Sequence, residues 1–180
     1  MLATKNNLVL DIGGRKVGDG QPCFVIAEIG SNHNQSFDLA CEMIDAAAQS
    51  GVDAVKFQTF RASSHYSKKS PSFRYLNNTN THELIRSLEL DRSWQSDLKS
   101  YAENRGLVFF SSPCDSDAIL SLSELNVPVY KVASFDLTDD ILISEMAAIG
   151  KPMILSTGMA TWMDIQIAVE AIHQANNHQI

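Results

Sequence analysis

An α/β architecture built on parallel strands is the reading this sequence favours, and three observations carry it. Short apolar runs, often β-branched or aromatic, alternate with stretches whose apolar residues recur at helical spacing. Capping residues open several of the helical stretches, and glycines close them. Repeated strand–helix units in turn imply parallel strands joined by right-handed crossovers. At 180 residues and 44% hydrophobic content, the chain can bury the core of one domain.

The elements follow in order. Residues 1–20 read as an N-terminal hairpin or cap, with strands at 8–12 and 15–17 turned by Gly13-Gly14, and residues 21–180 as the main domain. A strand at 23–29 leads to a helix with Ala40, Met43, Ile44, Ala47 and Ala48 on one face, Ser36 as N-cap and Gly51 past its end. The strand at 54–60 is followed by a polar connection, 61–80, whose length exceeds the usual connector and marks a functional loop. Trp94, Leu98, Tyr101 and Arg105 predict a helix closed by Gly106, ahead of a strand at 107–111. Asp115 caps a helix carrying Ala118, Ile119, Leu122 and Leu125. A strand at 129–133 and a helix at 140–149, stopped by Gly150 and Pro152, come next. The last unit is a strand at 153–156 and a helix whose Thr161 and Asp164 form a capping box before Ile165, Val169 and Ile172. Met43, Met146, Met153 and Trp162 are read as packing residues. Five such units fit either an open sheet or the first part of an eight-fold barrel, which takes about 250 residues.

Composition narrows the function. A net charge of −7 with no polybasic run offers no field for nucleic acid. Neither a signal-peptide pattern nor an apolar run of membrane-spanning length occurs, so no membrane role and a cytoplasmic location are expected. Cys23, Cys41 and Cys114 form no CxxC pair and speak against a disulfide framework or a zinc site, Cys114 being a lesser candidate for reactivity. HExxH, Walker, GxGxxG and GxSxG patterns are absent.

Charge interrupts three of the apolar strands, at Glu28, Lys56 and Lys131. Alternation places Lys56 with Ala54 and Gln58, Lys131 with Val129 and Ala133, and Glu28 with Phe24 and Ile26, each toward a strand's C-terminal end. Parallel α/β proteins carry their sites there. Two ammonium groups about 7 Å apart repel by roughly 2 kcal/mol at an effective dielectric near 20, which favours a ligand with two or more negative charges. Ser111-Ser112, Ser134 and Ser156-Thr157 would add neutral donors, a phosphate or carboxylate cradle. The competing reading is an internal ion pair between Glu28 and one lysine, with the hydroxyls serving as caps. His33, in the loop after the first strand, is a candidate for a substrate role, although loop histidines are usually solvated. His65, His82, His173 and His178 carry weaker signals.

Four segments in order, Ile26–Asn34, Gly51–Phe60, Tyr130–Ser134 and Gly150–Met159, resemble the sialic acid (N-acetylneuraminate) synthases and their legionaminic and pseudaminic acid relatives. The resemblance implies a TIM barrel of which about five units are present, with the antifreeze-like C-terminal domain and two metal-binding histidines lying outside this chain. It implies condensation of phosphoenolpyruvate with N-acetylmannosamine or a related acylated amino sugar, with release of phosphate, aided by manganese or magnesium bound to no residue of this chain, and a homodimer for the full-length form. It further implies that Lys56, Ser112, Lys131, Ser134 and Ser156 hold phosphoenolpyruvate. Gln58 and Asn77 or Asn78 then lie near the sugar, and Glu28 orients water or moves a proton. Two alternatives stand beside it: a Schiff-base keto-acid lyase using Lys131, and a ligand-binding fragment without catalysis.

Overall fold

The computed structural model describes residues 9–72, 74 and 79–180. β1 (Val9–Ile12) and β2 (Arg15–Gly18) form the expected antiparallel hairpin. Its turn needs positive φ at Gly13 and Gly14, +60° and +83°. A Cβ at Gly13 would come within 3.0 Å of the Val108 side chain, so the turn is pressed against the start of a core strand.

β3 (Ile26–Gly30), β4 (Ala54–Thr59) and β5 (Val108–Pro113) form a parallel sheet, with Ile26, Ala54 and Val108 level with one another. β6 (Tyr130–Val132) and β7 (Met153–Leu155) form a separate parallel pair. β6 packs beside β5, yet no hydrogen-bonded ladder joins them. β3 starts three residues later than the sequence predicts. Upstream, Asp53 replaces the ladder: its carboxylate accepts from Val25 N, while Asp53 N and Ala54 N both donate to Val25 O.

The connecting helices are α1 (Phe37–Gln49), α2 (Ala62–His65), α3 (Thr81–Arg86), α4 (Gln95–Glu103), α5 (Ser116–Glu124), α6 (Asp140–Ala148) and α7 (Trp162–Gln174). Ser36, Asp115 and Thr161 accept from backbone N–H groups of the first turn, and Thr161 with Asp164 closes a capping box. The long connection 61–80 opens on α2 rather than running as plain loop.

Two apolar layers follow from strand alternation. Outward-facing Val55, Phe57, Phe109, Tyr130, Val132 and Met153 pack under the helices. The other parity, Ala54, Val108, Phe110 and Val129, faces inward with Phe24, Ile26 and Ile154 at its margin. Ile12 of the hairpin, 1% exposed, joins that inner cluster and forms its floor. Met146 and Met153 are buried as expected, but Trp162 is exposed. It opens the first turn of α7, whose buried residues are Ala168 and Ile172 further along.

Candidate functional site

Since Ala54, Val108 and Val129 face inward, parity carries Glu28, Lys56, Gln58, Ser112, Lys131 and Ser156 to the same side, above the apolar floor. Lys56 is almost sealed, its side chain 5% exposed, and its Nζ lies 2.7 Å from a Glu28 oxygen. The Glu28 side chain is 66% exposed, so this charge is not buried in its strand as the apolar run suggested. A bulge between Glu28 and Gly30 shifts the register there, and Gly30 takes φ +59°. Gln58 fills the space beside that glycine; an added Cβ would lie 3.4 Å from Gln58 Oε1.

Lys131 differs from Lys56 in its partners. Its Nζ donates to Ser156 Oγ and to Val132 O, both at 2.6 Å, and among the described residues it forms no salt bridge. Burial, and then the neighbouring Lys56 charge, bring its pKa down to about 8. Ser112 is buried, and its Oγ has no partner among the described residues. Its neighbour Ser111 points the other way and bonds Thr59, which Gln95 also reaches. Ser134 is half-buried in the turn after β6. Asn77 and Asn78 lie outside the described residues.

His33 is fully buried rather than solvated. The Ser31–Gln35 turn, with positive φ at Asn34 and Gln35, folds the ring against Phe57. Its Nδ1 accepts from Gln35 N, and burial lowers its pKa, so the ring is held neutral. The Nε2 atom has no partner among the described residues.

Beside this face, three consecutive strand-end loops bring His65, Cys114 and Asp136 together, their donor atoms all within 4.8 Å of one another. Sequence reasoning treated Cys114 and His65 as minor and did not single out Asp136. Its signal was a carboxylate five residues after Lys131, in the same kind of loop. The three line a cavity of about 150 Å³ shared with Ser31 and Gln58. Burial pushes the Cys114 thiol up, with Asp136 adding to it, and pushes the Asp136 carboxyl up as well.

A sequence profile of the NeuB family matches residues 43–180. The chain is 38% identical over 165 residues to the pseudaminic acid synthase of Helicobacter pylori, covering 89% of this chain and 48% of that protein. It is 38% identical over 153 residues to the N-acetylneuraminate-9-phosphate synthase of Mus musculus, covering 81% of this chain and 42% of that one. Among solved structures it is similar to the N-acetylneuraminic acid synthetase of Leptospira borgpetersenii serovar Hardjo-bovis in complex with citrate. That match has a TM-score of 0.86 at 29% identity, over 95% of this chain and 57% of the other. The chain spans about half the length of the curated relatives it matches.

Proposed function

Because this chain belongs to the NeuB family and has its TIM-barrel-type α/β fold, we propose that it forms the phosphoenolpyruvate-binding portion of a nonulosonic acid synthase. One observation carries the reading: Lys131 stands half-buried beside Lys56 and Ser156 without a carboxylate of its own among the described residues. An ammonium in that setting is stabilised by a bound anion. Phosphoenolpyruvate brings a phosphate and a carboxylate to the pair. Ser112, whose hydroxyl has no partner among the described residues, and Ser134, half-buried in the turn after β6, are the further donors this reading assigns. The Leptospira relative was solved with citrate, another small polyanion.

In this reading C3 of phosphoenolpyruvate forms the new bond to the aldehyde carbon of an acylated amino sugar. Water adds to the cation left at C2, and the bond from C2 to the phosphate oxygen then breaks to release phosphate. Lys56 and Lys131 offset negative charge on the leaving phosphate, with Ser112, Ser134 and Ser156 as neutral donors. Gln58 faces the sugar in this reading, and Asn77 and Asn78, which the family resemblance assigns to the same substrate, lie outside the described residues. Glu28, exposed at one end and paired to Lys56, accepts or returns a proton at the water. His33, neutral and buried against Phe57, supports the rim from behind. Manganese or magnesium, implied by the family, finds no fitting donor set among the described residues. The candidate group contains a thiol, whereas these hard cations take oxygen ligands.

Thermal unfolding of the 180-residue chain with and without phosphoenolpyruvate tests the reading. At about 100 times its dissociation constant the ligand adds roughly 2.7 kcal/mol, which raises the midpoint. Lys131→Ala should lose that rise, and an unmoved midpoint in the parent chain rejects the site. The pKa of about 8 also favours a second reading, in which Lys131 attacks a keto acid to form a Schiff base. Borohydride reduction with pyruvate would then leave a mass adduct on Lys131; an unmodified lysine rejects it.

A further inference from the structure

We propose that His65, Cys114 and Asp136 form a site for one divalent cation of the zinc type, beside the lysine rim. His65 ends the short helix α2 that follows β4, and Cys114 and Asp136 lie in the loops after β5 and β6, so three successive connections bring them together. His65 Nε2 lies 3.6 Å from Asp136 Oδ1, near the separation of two ligands around one tetrahedral ion with bonds of about 2 Å. All the donor atoms fall within 4.8 Å of each other, a cluster that a small inward movement would close.

The donor set selects the metal. Thiolate, imidazole and carboxylate together suit zinc, and the thiolate disfavours magnesium and manganese. Three protein ligands leave a fourth position, and the cavity of about 150 Å³ that these residues line with Gln58 and Ser31 is large enough for a water or a ligand oxygen there. The surroundings already orient the ligands. Tyr66 and Phe135 meet the His65 ring edge to face at 5.0 and 5.5 Å, and Asp136 is held in its turn by backbone bonds to Ala133 and Asp139. Without a cation, burial and the Asp136 carboxylate keep Cys114 a neutral thiol. A bound divalent ion reverses that preference, and the Cys114 proton leaves to solvent as the sulfur–metal bond forms.

Cobalt(II) titration of the full 180-residue chain provides the test, with Cys23→Ser in the background to remove the exposed thiol and His178→Gln to separate the His173–His178 ring pair. The expected result is one equivalent bound with a thiolate-to-cobalt charge-transfer band and tetrahedral visible bands, both bleached by zinc. Cys114→Ser should remove the charge-transfer band, and His65→Gln should weaken binding by more than about tenfold. Circular dichroism of each variant checks that the fold is kept. Absence of the charge-transfer band in the background chain overturns the site without reference to any variant. So does a band that survives in folded Cys114→Ser. Neither result bears on the anion site, whose midpoint shift is read without metal.

Discussion

Lys131 titrates near pH 8 because burial and then the Lys56 charge penalise its ammonium form. In the unfolded chain a lysine titrates near 10.4, so between these values the unfolded state binds more protons and stability rises with pH. A seated anion acts in the opposite sense and raises the lysine pKa. Phosphoenolpyruvate binding should therefore take up a proton near pH 8.5, and affinity should fall as pH rises through about 8. Calorimetry in two buffers of different ionisation enthalpy reads this directly, and equal observed heats in the two buffers would exclude Lys131 as an anion ligand. The side each charged residue occupies was legible in the sequence, since alternation from Ala54 or Val129 fixes the face of Lys56 or Lys131. Exposure was not. Glu28 sits at a bulge on the outermost strand of its sheet, and His33 is folded inward by two residues of positive φ, neither of which leaves a periodic trace.

Among the elements, the hairpin has a larger structural role than its eight residues of strand suggest. Ile12 is the residue it lends to the inner cluster of Ala54, Val108, Phe110 and Val129. Ile12→Ala should cost about 2–5 kcal/mol in urea unfolding, the range for a fully buried aliphatic side chain. Val9→Ala on the same strand, at an exposed position, should change stability far less. Equal costs would mean that the hairpin does not close the floor. Helix positions were readable because caps and apolar spacing are local signals, as Ser36, Asp115 and Thr161 show. The start of β3 was not, because its upstream hydrogen bonds go to Asp53, 28 residues away from Val25.

Across the whole molecule, legibility falls with the number of segments that must converge. Lys56 and Lys131 could be placed one strand at a time, whereas the grouping of His65, Cys114 and Asp136 depends on how three loops bend after leaving their strands. The two lysines, moreover, belong to different hydrogen-bonded ladders: Lys56 to β3–β4–β5, Lys131 to the three-residue pair β6–β7. No backbone ladder spans the seam between β5 and β6 among the described residues, so packing and side-chain bonds such as Tyr130 OH to Ile119 O set the spacing there. Amide hydrogen exchange should be faster along β6 than along β4 in the ligand-free chain, and an anion gripped by both lysines should slow β6 selectively. Uniform protection across the two strands would remove this expectation. A substrate in that position would act as a rivet across the seam, completing by charge a wall that the backbone leaves unjoined.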